Sequence, residues 1–336
     1  MTIRRYMRRG ELFLPEDTIL IPPLKTKIGG FFRVQLRRKS GSLKYDTGWF
    51  HNLITNLGMD LYGRSTGFSD NNGAASPSYC CVGTGTSAPS VSDTALVAPL
   101  AFKGFSIPTI PSYVAGPPAY SFQSLFWAFP LGSVIGNISE ISAGPMATGV
   151  GNPSLANCRA YSRQLILDSL GNPTTISVTS GDQLNTSYQL RLYFDLTDST
   201  TSINISGPGG GTFGGTIRRS QTSSFGPNGV MNPSAPDPPS WGTTVAALYT
   251  GPVGTTSSSP GGTSLSASSH TYGIYTPGTF TRTVDSFWGT TNLGTVQALK
   301  VGSNALGFWQ ANMAPGFAKT GSNTLHINWS MAWARF

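Results

Sequence analysis

The segment TLHINWSMAWARF, Thr324 to Phe336, places Leu325, Ile327, Trp329, Met331 and Trp333 at every second position, with His326, Asn328, Ser330, Ala332 and Ala334 between them. A period of two is the side-chain period of a β-strand, so this stretch predicts a strand with one packed face. The same alternation recurs at Leu165 and Leu167, and again at Leu190, Leu192 and Phe194. Turn chemistry separates those runs: SLGNP at 169–173, then Gly181-Asp182.

Composition agrees with this reading. Gly (41) and Pro (24) punctuate short β-branched and aromatic runs, and charged residues make up 11% of the 336, against about 25% in ordinary soluble domains. The predicted fold is all-β: an antiparallel β-sandwich or jelly-roll-like domain with one short helix and long Gly/Ser/Pro-rich loops. The helix is expected over Asn52–Tyr62, where Leu53, Ile54, Leu57 and Leu61 fall at helical spacing, with Thr47 or Asn52 as cap and Gly63 as stop. Residues 31–50 predict a β-hairpin around the turn Lys39-Ser40-Gly41-Ser42. Three regions follow: a basic arm with the first strands (1–44), a sandwich core (45–195), and a loop-rich extension (196–336) whose last strand returns to the core. Within 196–280 the expectation is long loops laid over a sheet and anchored by Phe213, Phe225, Met231, Trp241 and Tyr249, with disorder as the alternative.

Charge is unevenly placed. Residues 1–44 hold 11 of the 22 Lys/Arg and 3 of the 14 Asp/Glu, so the whole net charge of +8 lies there and the remainder is neutral. Arg4, Arg5, Arg8, Arg9, Arg37, Arg38 and Lys39 form the candidate docking arm. Such an arm attached to a neutral body points to an anionic partner: an acidic protein surface by preference, because guanidinium forks pair bidentately with carboxylates, and nucleic acid as second choice. The aromatic run at 120–129 supplies candidate interface residues Phe122, Phe126, Trp127 and Phe129.

Catalytic signatures are scarce. His51, His270 and His326 are scattered along the chain, and no HExxH, GxSxG or P-loop pattern occurs. A Ser-His-Asp set assembled in space is the remaining route to an active site. Glu140, Asp182, Asp195 and Asp198 read as turn or strand-end residues. The stretch Gly83-Thr84-Gly85-Thr86 lacks the following Gly-Lys-Ser/Thr of a phosphate loop and reads as a glycine turn after a strand. Cys80, Cys81 and Cys158 show no CxxC spacing, and vicinal cysteines on a strand point to opposite faces, so neither metal nor intrachain disulfide is expected. No catalytic residue, cofactor or metal is predicted. The absence of a signal-like or membrane-spanning apolar run predicts a chain made in a cytoplasm without membrane insertion.

Three ordered blocks carry a resemblance. TGWFHNLITNLG (Thr47–Gly58), VGTGTSAPSVSDTAL (Val82–Leu96) and the strand pair from Arg163 to Tyr193 are similar to a recurring pattern in tail-associated structural proteins of tailed bacteriophages. The similarity covers about residues 45–195, leaving the arginine-rich start and the region after 196 outside it. It implies a structural role in or near the virion tail, assembled in a bacterial host, and it assigns no catalytic residues. The expected function is therefore a multi-copy, homo-oligomeric tail component docked to other virion proteins. The alternatives are a fibre or adhesin binding host-surface glycans, and, further off, a coat or decoration protein with a nucleic-acid-binding arm.

Overall fold

In the computed structural model, which describes residues 16–62, 79–104, 112–145, 154–206, 211–220, 245–303 and 306–336, the strand Thr324–Arg335 buries Leu325, Ile327, Trp329, Met331 and Trp333 to 3% exposure or less. Its predicted packed face is therefore real. The fold is all-β, and the described residues form strands from Glu16–Leu20 to Thr324–Arg335 with one five-residue helix and one 3-10 turn.

The C-terminal strand lies beside the start of the described chain. It runs parallel to Glu16–Leu20 and then to Leu24–Ile28, while its other edge pairs antiparallel with Thr281–Trp288. Between the two N-terminal strands stand Pro22 and Pro23, whose missing N–H groups interrupt the ladder. The long strand Leu24–Arg38 continues into full antiparallel pairing with Asp182–Phe194, which pairs in turn with Ala119–Ala128. From Glu16–Leu20 the sheet extends the other way through Ser199–Ser206, Gly211–Ser220, Gly307–Lys319, Gly294–Ser303 and Val245–Tyr249. Phe50–Ile54 turns the corner: Phe50 to Asn52 pair with Leu24–Arg38, whereas Leu53 and Ile54 pair with Ser162–Leu165. A second layer follows, in which Ser162–Leu165, Glu140–Gly144, Tyr79–Gly83 and Pro99–Gly104 lie side by side. One continuous apolar core, from Ile19 to Trp333, is contributed by the inward faces of these strands.

Several expectations are corrected. The apolar spacing at 52–62 is shared between a strand and a helix: Phe50–Ile54 is extended, and the helix is only Asn56–Asp60. Thr55 caps it, accepting from the Gly58 N–H at 3.2 Å and donating to the Ala160 carbonyl at 2.8 Å. Residues 47 and 52 are not the cap, and Gly63 lies outside the described residues. About half of the described residues in 196–280 are strand and the rest loop; in the first part Ile203, Ile205, Phe213 and Ile217 are buried strand residues. Of the proposed anchors, Phe213 is in the core, Tyr249 is half-buried, and Phe225, Met231 and Trp241 lie outside the described residues.

The cysteine expectation is overturned as well. Cys80 and Cys81 do face opposite sides, but the 3-10 turn Leu155–Asn157 delivers Cys158 to the Cys81 side, and the two form a disulfide across 77 residues of sequence. Tyr79, Leu96 and Phe102 enclose it in a small satellite cluster. Cys80 remains a thiol in the main core, where burial pushes its pKa up to about 12.

Candidate docking face

Three neighbouring strands set the geometry of one sheet face. In register across Ala119–Ala128, Asp182–Phe194 and Leu24–Arg38 stand Tyr120, Tyr193 and Lys27; then Phe122, Arg191 and Gly29; then Ser124, Gln189 and Phe31; then Phe126, Ser187 and Arg33. Directly opposed residues share a face, so all twelve lie on one side. The intervening positions Leu125, Trp127, Tyr188, Leu190, Phe32 and Val34 go to the core. Phe126 is 44% exposed and Phe122 half-buried, whereas Trp127 and Phe129 are 1% and 2% exposed. Of the four predicted interface aromatics, the first two face outward and the last two are core residues. Strand alternation explains the split for 122, 126 and 127.

Arg191 is the centre of this face. Its guanidinium lies 3.6 Å from the Phe31 ring centroid and 4.6 Å from that of Tyr120, and its Nε donates to Gln189 Oε1 at 2.6 Å. Among the described residues it meets no carboxylate within ion-pair distance. Tyr193, only 6% exposed, stacks on the exposed Phe336 with centroids 3.6 Å apart and planes 8° apart. His51 sets its ring edge against Phe31 at 5.2 Å; burial, with the Arg191 charge, holds its imidazole below the ordinary histidine range. Arg33, by contrast, is neutralised by Asp46, which also accepts from Gln35. The result is a cluster of aromatic rings, tilted to one another, around an arginine that has no ion-pair partner among the described residues. Aromatic and arginine side chains are the residue types that carry most binding energy in protein interfaces.

The basic arm is only partly in view. Arg4, Arg5, Arg8 and Arg9 lie outside the described residues. Arg38 and Lys39 are exposed at the hairpin turn beyond this face, and Arg37 donates to the Gly41 carbonyl at 3.0 Å. Arg191, Phe31, Tyr120 and Tyr193 were missed as site residues. The available signal was an arginine at an outward position between two buried leucines, which only cross-strand register converts into a site.

The loop after Tyr79–Gly83 is held from beneath. Glu140, fully buried, accepts from the Gly85, Val97 and Ala98 N–H groups at 2.8 to 3.2 Å. Arg163, also buried, pairs with Glu140 and reaches on to Asp93 Oδ2 at 2.6 Å and the Ser87 carbonyl at 2.9 Å. A Cβ on Gly83 or Gly85 would run into the Glu140 carboxylate, so both positions require glycine. The GTGT turn is thus a scaffolded loop, with Val91 and Val97 displayed on its surface.

The histidines do not assemble a triad among the described residues. Asp285 and Ser286 are consecutive on one strand and so face opposite ways. Asp285 pairs with His326 at 2.9 Å, while Ser286 meets His270 Nδ1 at 2.9 Å and accepts from the Trp329 indole. Carboxylate and hydroxyl therefore serve different histidines. No group of three or more potential metal ligands occurs among the described residues, and no described helix is long and apolar enough to cross a membrane. Comparison with protein-family models, with curated proteins and with solved structures finds no match.

Proposed function

We propose that this chain is a non-enzymatic bacteriophage virion structural protein, a multi-copy tail component that docks through the Phe122–Phe126–Arg191 face and its basic arm. The observation that carries this reading is Arg191, clamped between Phe31 and Tyr120 on an outward aromatic sheet face. A lone solvated domain gains little from displaying such a surface, whereas an assembly buries it. The resemblance of three blocks to phage tail proteins supports the choice of particle, and the net +8 in residues 1–44 supports attraction of the arm to acidic neighbours.

The test combines two measurements. Sedimentation of the purified chain at micromolar concentration is expected to show oligomers, and the double variant Phe122→Ser/Phe126→Ser is expected to shift them to monomer with unchanged circular dichroism. A tagged chain located by electron microscopy in intact particles should decorate the tail. Monomeric wild-type protein that is also absent from particles would sink the reading.

A further inference from the structure

We propose that the docking face meets a different, carboxylate-bearing surface on the next copy of the chain, so that copies join head to tail rather than face to face. This inference rests on the docking reading above and names the partner of that face.

Charge on the face decides between the two arrangements. Side chains alternate along a strand, so the outward positions of Leu24–Arg38, Asp182–Phe194 and Ala119–Ala128 follow from their register. They hold five cations, Lys25, Lys27, Arg33, Arg37 and Arg191, and no carboxylate. Asp46 on the neighbouring strand cancels Arg33, and Asp195, exposed just past the end of Asp182–Phe194, adds one negative charge at the rim. Lys25 and Lys27 are exposed, and neither has an ion-pair partner among the described residues. The neighbours of Arg191 are neutral: Gln189, the Tyr193 hydroxyl, and the rings of Phe31 and Tyr120. Lys27 stands opposite Tyr193 and so lies diagonal to Arg191 across the strand pair. Uncompensated positive charge therefore sits beside the aromatic rings that a contact would bury.

A twofold contact presses a surface against its own equivalent. Here it would bring two sets of cations together around Arg191, where partial desolvation strengthens their repulsion. Burial of Phe122 and Phe126 favours either arrangement and does not discriminate. A head-to-tail contact pairs the face with another surface, and the chain has carboxylates to supply it, since 11 of its 14 Asp/Glu follow residue 44. An incoming carboxylate meets a guanidinium already held between two rings, whose planar fork suits bidentate pairing. Repeated from copy to copy, such a contact closes a ring or grows a filament.

Sedimentation equilibrium on the full chain tests the proposal with Lys27→Glu, a substitution at an exposed position that should keep the native circular dichroism. Against a carboxylate-bearing surface this charge reversal is expected to weaken self-association by about tenfold or more, whereas against an equivalent basic face it would relieve repulsion and tighten the contact. Mixing gives an independent readout. A tagged Phe122→Ser/Phe126→Ser chain keeps the complementary surface, so wild-type copies should capture it and their assemblies should shift to smaller sizes. Unchanged or tighter association of Lys27→Glu, or a Phe122→Ser/Phe126→Ser chain that stays out of wild-type assemblies, overturns the head-to-tail contact while leaving the docking face in place. Wild-type protein that is monomeric in the same runs removes the docking reading itself, and this inference with it.

Discussion

Arg163 donates from Nε and Nη2 to one oxygen of Glu140, at 3.1 and 2.9 Å, with both side chains at 1% exposure or less. The other oxygen, Oε1, accepts from the Gly85 and Ala98 N–H groups. A buried pair of this kind contributes little relative to an apolar pair, but losing one partner strands the other charge. Glu140→Gln and Arg163→Leu are therefore expected to cost about 3–5 kcal/mol each, measured as the shift in denaturant midpoint. Hydrogen exchange should speed up at the Gly85, Val97 and Ala98 amides in particular.

The glycine at 85 gives a second check on the same arrangement. Gly85→Ala places a methyl against the Glu140 carboxyl carbon, and is expected to cost about 1–3 kcal/mol. Gly116→Ala is the control, since nothing lies within 4 Å of its Cβ position, and should change stability by less than about 0.5 kcal/mol. Equal effects of the two substitutions would contradict the packing described.

How far the sequence alone reached depended on the range of the interaction. Alternation in Leu325–Trp333 or Leu190–Phe194 is local, so strands, buried faces and the hairpin at Lys39–Ser42 were readable. The Glu140–Arg163 pair joins neighbouring strands, and only their register shows that a carboxylate read as a strand-end residue is the anchor of a loop 55 residues earlier. The disulfide was misjudged for a related reason. Opposite-facing vicinal cysteines exclude bonding to each other, but say nothing of a third cysteine returned by a distant turn. Likewise the 52–62 apolar spacing satisfied a helix until pairing of Asn52 with Gly30 and Ile54 with Ser162 claimed its first half.

Peptide mapping without reductant is expected to recover Cys81 and Cys158 as one linked species, with Cys80 resisting alkylation until the protein unfolds. Closing so long a loop restricts the unfolded chain, and Cys81→Ala should lower stability by about 2–4 kcal/mol under oxidising conditions. With reductant present the difference should shrink towards that of a small buried substitution. Recovery of three free thiols from the native, air-exposed protein would contradict the assignment.

Acid should weaken the hairpin through two carboxylates. The Lys44 ammonium, donating at 2.8 Å, is the main cause that lowers Asp182 to about 2, and the Arg33 guanidinium is the main cause that holds Asp46 well below the usual carboxylate range. Unfolded, both return to about 3.9. A group whose pKa is depressed by folding stabilises the protein above its unfolded pKa and loses that contribution as pH falls through the folded value. Stability from these pairs is therefore expected to be intact at neutral pH and to fall from about pH 4 towards 2 and below. His51 and His270, both lowered by burial, add an earlier decline that starts near pH 6.5. Lys44→Gln separates the two: denaturant midpoints measured across pH should keep the histidine decline unchanged while the slope below pH 4 becomes shallower. An unaltered slope below pH 4 in that variant would mean that Asp182 does not depend on Lys44.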